Sequence, residues 1–328
     1  MFRSAVKPDG KLNQAVIHRK ENIYLGMNGR YVERFYLNPT ESYIYKPLTN
    51  EAQMGKEVWM YHHLLLNLPP IFPKIVAYSI DESSDQNWII FEDLGAIQHQ
   101  FNKELAVNVI NLMTAWHSLP PEILINHSLK GPKPPIEEIV EFLFLNKNKV
   151  EDVIAQHHIP DQLLNTIFTM LDRHEFPNKQ VISHGDLHQG NYGMAGERVV
   201  ILDWEHAHVN SPYWDLYHLL DISHPDFSKE LNKEWRNQLL DHYLDKMNFP
   251  SKMKLRFHFK QMYYLFSAAF SIWMLLLIQN DLEKNAAKWS KERLTRQKTE
   301  TISNLIQCGE ELDEEKLNKF TKEEEVYL

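Results

Sequence analysis

The stretch Ser183-His184-Gly185-Asp186-Leu187-His188-Gln189-Gly190-Asn191, followed by Val199-Val200-Ile201-Leu202-Asp203-Trp204-Glu205, constrains this chain more than any other. A strand-like apolar pair, Val181 and Ile182, leads into a polar loop. That loop carries one carboxylate, Asp186, and five residues later one amide, Asn191. A short turn then leads into an apolar run of β type, which ends on a second carboxylate, Asp203. Asp, Asn and Gly are common in turns, so any one of them alone says little. Their joint spacing, with a strand before the last acid, says much more.

Phosphoryl transfer asks few groups of a protein: a carboxylate that orients the attacking hydroxyl, and oxygen ligands for Mg²⁺. Mg²⁺ is a hard cation that prefers oxygen and keeps several waters. Asp186 suits the first role, which needs a carboxylate within hydrogen-bond reach of the acceptor hydroxyl. Asn191 and Asp203 suit the second.

The run H-G-D-L-H-Q-G-N followed by I-L-D-W-E resembles the catalytic and metal motifs of the aminoglycoside phosphotransferase and choline kinase-like family. These are small-molecule kinases with a protein-kinase-like fold. The resemblance implies an α+β, two-lobed chain, with a small antiparallel β lobe carrying one helix and a larger, mainly helical lobe. It implies ATP and Mg²⁺ as cofactors, Asp186 as catalytic base, Asn191 and Asp203 as magnesium ligands, and His184 as a packing residue of the loop. The loop also resembles the protein-kinase pattern H-x-D-x-x-x-x-N. It departs from that pattern at His188, where protein kinases usually carry Lys or Arg, and at Trp204-Glu205, where they carry Phe-Gly. Both departures favour the small-molecule branch. Some members of the family are associated with the bacterial spore coat, so a catalytically inactive scaffold is an alternative. Loss of Asp186, Asn191 or Asp203 would have favoured it, and all three are present.

At 328 residues the length suggests about two domains. A hydrophobic share of 43% can build a substantial core and excludes a disordered chain. The formal charge of −9 gives no sign of a nucleic-acid partner. One cysteine, Cys308, rules out an intrachain disulfide, and Met1 to Lys11 lacks the apolar core of a signal peptide. A cytoplasmic location is expected. Met262 to Ile278 runs 17 residues without a charge, at the short edge of membrane-spanning length. A buried helix fits the rest of the chain better than a span.

In order, Ala15 to Leu25 and Tyr31 to Leu37 read as strands about the turn Gly26-Met27-Asn28-Gly29. Ser42 to Leu48 alternates as a half-buried strand and carries Lys46. Asn50 to Leu68 reads as a helix with Asn50 as N-cap, Met54, Val58, Tyr61 and Leu65 inward, and Pro69-Pro70 as its stop. The resemblance makes Lys46 the lysine that touches the α- and β-phosphates and Glu57 its partner, with Glu51 second. Lys74 to Ile80 and Asn87 to Glu92 read as further strands. By resemblance the backbone of Glu92 and Leu94 then holds the adenine ring. These readings divide the chain into 1–94, a nucleotide-binding lobe; 95–309, a catalytic and substrate lobe; and 310–328, a charged tail.

From Lys103 the periodicity is helical: Lys103 to Leu119, a helix from Ile136, and Asp161 to Arg173. Lys130-Gly131-Pro132-Lys133-Pro134-Pro135 reads as a loop. Further helices are expected at Lys229 to Lys246, Lys252 to Ile278 and Leu282 to Leu305. By resemblance Asp215 buttresses the catalytic loop. His184, Asp186 and His188 could instead serve a metal-dependent hydrolase, but no third histidine is placed by the same elements. His188 could approach substrate or simply pack. Trp204, Tyr213, Trp214 and Tyr217 could hold a quaternary ammonium, though their spacing reads as core. The expected partner is a small-molecule acceptor; its identity is not written in these residues.

Overall fold

Residues 19–47 are rich in Tyr, Ile, Val and Phe, which suit a pleated, half-buried surface. In the computed structural model, which describes residues 2–26, 29–48, 53–81, 86–125, 129, 131–284 and 288–321, they form three strands. These are β1 (Arg19–Leu25), β2 (Tyr31–Asn38) and β3 (Glu41–Pro47). The Asn38 side-chain oxygen accepts from the amides of Thr40 (3.1 Å) and Glu41 (3.0 Å), which sets the β2–β3 turn. β4 (Ile75–Ser79) and β5 (Trp88–Glu92) complete an antiparallel sheet in the order β1-β2-β3-β5-β4. Met27 and Asn28 of the expected first turn lie outside the described residues.

Alternation along the strands makes two faces. Phe35, Tyr45, Trp88 and Ile90 point one way and pack with Ala5, Val6, Leu12 and Ile17. The first strand therefore begins at Arg19, not Ala15: residues 2–17 form a cover over the sheet, with a 3-10 turn at Phe2–Ala5 and a bridge between Val6 and Leu12. Lys46 sits opposite Ile89 in the register, one step from that face. Helix α1 (Lys56–His63) packs on the side that carries Phe91, whose ring lies 5.7 Å from that of Tyr61. α1 is shorter than the expected Asn50 to Leu68. Gly55, with φ 75°, sits in the left-handed region at its start and blocks helical continuation. A 3-10 turn at Leu65–Asn67 closes the other end. Asn50 and Glu51 lie outside the described residues.

The chain continues through β6 (Ile97–Gln98), α2 (Lys103–His117), α3 (Glu122–Ile125), α4 (Ile136–Leu145), α5 (Lys147–Gln156) and α6 (Asp161–Arg173). Next come β7 (Val181–Ser183), β8 (Tyr192–Ala195), β9 (Arg198–Ile201) and β10 (His208–Asn210). The last helices are α7 (Pro212–Leu220), α8 (Lys233–Lys246), α9 (Met253–Glu283), α10 (Lys291–Glu310) and α11 (Glu314–Thr321). β6, β8 and β9 form a small antiparallel sheet, and β7 pairs with β10.

By packing, the chain divides into residues 1–98 with 192–206, and residues 99–191 with 207–328. This differs from a linear cut at 94/95. Residues 192–206 belong to the first unit because β8 and β9 build a sheet onto β6. The first unit is antiparallel β with one α-helix among its described residues, and the second is mainly helical. The 310–328 stretch is no separate tail in its described part: α11 packs on α9 and buries Leu317 completely.

α9 is the axis of the second unit. It packs against α4, α5, α6, α7, α8, α10 and α11. Length and composition alone would let it cross a membrane, but 89% of its most apolar window is buried against these neighbours, as in a core helix. It runs on to Glu283, past the expected end at Ile278. α10 starts only at Lys291, where Ser290 caps the amide of Arg293.

Candidate functional site

In the first unit the chemistry gathers on Lys46. β3 carries it to the sheet face that receives α1, and Glu57 lies in the first turn of α1. Lys46 Nζ donates to Glu57 Oε2 at 2.6 Å and to Asp203 Oδ1 at 2.7 Å, and lies 3.6 Å from Glu205 Oε2. Asp203 arrives from β9, which is tied down by the Ile201 amide donating to Ile71 O at 2.6 Å. Asp203 itself adopts φ 62°, a conformation that Asp tolerates better than most residues. The fully buried Trp204 anchors the turn that follows.

Burial opposes the charge on Lys46, but Asp203, Glu57 and Glu205 together hold its pKa well above the usual value. Burial drives Glu57 the other way, up to about 7, against the pull of Lys46. Ligand oxygens of Glu57, Asp203 and Glu205 lie within 4.8 Å of one another, the one such cluster of His, Cys, Asp or Glu among the described residues. An all-oxygen set beside the Lys46 ammonium fits Mg²⁺, a hard ion that takes carboxylates and waters.

The strand-end segment 92–95 is fixed from the side. Asp93 accepts from Arg34 Nε at 2.5 Å, Ser42 Oγ at 2.7 Å and the Gly95 amide at 2.9 Å. The Glu92 amide donates to Lys74 O, and its carboxylate accepts from the Lys74 amide, both at 2.9 Å. The Glu92 N–H is therefore engaged by the neighbouring segment. Leu94 is half-buried between Asp93 and Gly95.

In the second unit the loop after β7 carries Asp186 and Asn191. The loop is held by Asp215, in the first turn of α7, whose N-cap is Ser211. The fully buried Asp215 accepts from Ser183 Oγ (2.6 Å), the amides of His184 (2.8 Å) and Gly185 (3.2 Å), and Trp116 Nε1 (3.0 Å), with His117 Nε2 at 3.2 Å. Burial opposes ionisation, yet the His117 hydrogen bond and the other donors hold its carboxyl well below the usual range. Trp214, the residue before Asp215 on α7, donates through Nε1 to Gly185 O at 2.8 Å. His184 is fully buried and packs within the loop, its Nδ1 3.3 Å from the Asp186 amide.

Asp186 Oδ1 accepts from Lys133 Nζ at 3.1 Å, and Oδ2 lies 3.5 Å from His188 Nε2. Against the effect of burial, Lys133, His188 and His218 hold its carboxyl far below the usual range. Asn191 donates through Nδ2 to Asp186 O at 2.8 Å, so its amide oxygen is the end a metal would take. His188 stacks on His224, with ring centroids 4.6 Å apart. His184, Asp186 and His188 do not form a cluster of ligand atoms, and His188 Nδ1 accepts instead from the Gly190 amide at 3.0 Å. The hydrolase arrangement is not built. Trp204, Tyr213, Trp214 and Tyr217 are all buried core residues, not an aromatic cage.

Lys133, His218 and Glu205 escaped the sequence reading. Glu205 was visible only as the third residue of Asp-Trp-Glu. Lys133 lies in a proline-rich loop, and its partner is 53 residues away. The one signal for it is Gly131: a Cβ there would meet His208 Cε1 at 2.7 Å, so the loop is pressed onto β10.

Residues 27–255 match the model of the phosphotransferase enzyme family. No curated protein sequence matches the chain. Among solved structures, the chain is similar to a point mutant of aminoglycoside 2′-phosphotransferase-IIIa in its GDP complex, with TM-score 0.61, 15% identity, and coverage of 90% of this chain and 95% of that one. Choline kinase from Cryptosporidium parvum Iowa II gives TM-score 0.56 at 14% identity, covering 97% and 96%. Plasmodium vivax ethanolamine kinase gives 0.53 at 14% identity, covering 90% and 85%. At these identities the likeness speaks for a shared fold.

Proposed function

Because the chain belongs to the phosphotransferase enzyme family, we propose that it is an ATP- and Mg²⁺-dependent kinase that phosphorylates a hydroxyl of a small molecule. The observation that carries this reading is Lys46 held 2.6 Å from Glu57 and 2.7 Å from Asp203. A compact ammonium fixed on a strand between two acids suits contact with phosphate oxygens. Asp203 and Asn191, with Glu205 beside Asp203, would hold Mg²⁺; the bound ion would neutralise charge on the phosphates. The backbone of Glu92 and Leu94 would take the purine.

Asp186 is the proton acceptor. Its low pKa keeps it ionised at neutral pH, so it orients the acceptor O–H by hydrogen bonding before transfer. The acceptor oxygen forms a bond to the γ-phosphorus as the bond from that phosphorus to the leaving ADP oxygen breaks. The hydroxyl proton passes to Asp186. Asp215 keeps the loop in place, so the effect is one of positioning and charge stabilisation. Aminoglycoside, choline, sugar and amino-alcohol acceptors belong to the candidate set.

Thermal melting tests the reading. A ligand at 100 times its Kd stabilises a fold by about 2.7 kcal/mol. Mg·ATP should raise Tm, EDTA should reduce that rise, and Asp203→Ala should weaken it. A Tm that moves with Zn²⁺ and not with Mg·ATP would overturn the proposal.

A further inference from the structure

We propose that Lys133 is a catalytic residue of this chain, supplying the cation that its catalytic loop does not carry. The inference rests on the kinase reading of Asp186. The loop has His188 two residues after Asp186, and no Lys or Arg lies between Asp186 and Asn191. Lys133 reaches the same carboxylate from a distant loop, with Nζ 3.1 Å from Asp186 Oδ1.

Its placement is built. Gly131 lies so close to His208 and Trp214 that a Cβ would meet them at 2.7 and 3.3 Å. The same Trp214 donates to Gly185 O, so one ring braces both the lysine loop and the catalytic loop. Pro132, Pro134 and Pro135 restrict the backbone around Lys133. Ile136, buried at the start of α4, fixes the far end.

His218 sets the ammonium's direction. Its Nδ1 lies 2.8 Å from Trp214 O, an acceptor only, so Nδ1 carries the hydrogen. Nε2 is then the acceptor for Lys133 Nζ at 3.1 Å. Burial together with Lys133 holds His218 neutral, which keeps that tautomer. Two of the three ammonium hydrogens are thus committed, one to Asp186 and one to His218. The third serves an oxygen of the phosphoryl group as it moves to the hydroxyl bound at Asp186. Charge on those oxygens must be met in the transition state, and a pre-positioned donor meets it without reorganisation.

The test compares wild type, Lys133→Met, Lys133→Arg and Asp186→Asn. It measures release or transfer of labelled γ-phosphate from Mg·ATP, with water and a pool of small hydroxyl compounds as acceptors. Tm with and without Mg·ATP is read in parallel. Lys133→Met should lose about 10²–10³-fold in kcat, the usual cost of one such donor. Its KM for Mg·ATP should stay within about twofold, because the lost contact belongs to the transition state. Lys133→Arg should recover a large part of kcat, which a purely structural role would not require. If Lys133→Met turns over like wild type while Asp186→Asn is inactive, this proposal fails and the kinase reading stands. If wild type transfers phosphate to nothing, both fall.

Discussion

Asp215→Asn should unfold the protein more easily while changing almost no volume. The carboxylate is fully buried and accepts from Ser183, His184, Gly185 and Trp116, with His117 beside it. An asparagine has one acceptor oxygen. If its NH₂ takes the Oδ1 position, it faces the Gly185 amide; if it takes Oδ2, it faces the His184 amide and the Trp116 ring N–H. At least one donor is left against another donor, a loss of about 1–3 kcal/mol. The surviving bonds lose their charge assistance, roughly half their strength. Relief from burying a charge offsets part of this. We expect a net loss of about 3–5 kcal/mol, the range for breaking one side of a buried charged pair. In a unit of this size that is a Tm drop of roughly 10 °C.

The pH dependence has a definite sign. The folded pKa of Asp215 lies below its unfolded value of about 3.9. Its stabilising contribution is therefore present above that value and is lost as pH falls toward the folded one. Urea denaturation of wild type and Asp215→Asn at neutral pH and at about pH 3 measures both effects. A loss below about 1 kcal/mol at neutral pH, or a gap between the two proteins that fails to narrow in acid, would refute the account of a charge held by these donors.

Gly131→Ala should cost roughly 1–3 kcal/mol through overpacking on His208 and Trp214, and should lower activity by shifting Lys133; an unchanged urea midpoint would contradict the close approach. Lys229 is buried, donates to Leu219 O at 3.0 Å, and has its pKa pushed down to about 7 by burial. Its unfolded value is about 10.4, so the unfolded chain binds more protons between the two and wild-type stability should rise with pH across that window. Lys229→Met should remove that rise, as denaturation at pH 7 and pH 9 would show; an identical rise in both proteins would count against it.

The Asp186 loop, the Asp203 strand and the Lys46 strand were legible because each is local: a strand, a turn and a polar residue at a set distance. Glu57 was legible through the resemblance, as the acid that family members pair with the strand lysine, and it does lie 2.6 Å from Lys46 Nζ. The N-terminal cover was not. Ala5, Val6, Leu12 and Ile17 share no period, so nothing local says that they face the sheet. The start of α1 was missed because the constraint is a single left-handed glycine, Gly55, inside an otherwise helical pattern. Lys133 was missed because a lysine in a proline-rich loop has no local partner, and its two contacts are 53 and 85 residues away.

The return of residues 192–206 to the first unit has a consequence for how this chain is made. The chain passes between units at 98/99, 191/192 and 206/207, so neither unit is a continuous segment. β6 finds no neighbour in its small sheet until β8 has been synthesised, nearly a hundred residues later. In the order of synthesis, the first unit stays incomplete until α2 to α6 have been made. A fragment ending at residue 98 would carry Lys46 and Glu57 without Asp203, with two acids of the cluster still unmade. The order of synthesis thus makes the cluster around Lys46 a late product of folding, although β3, which carries Lys46, comes early in the sequence.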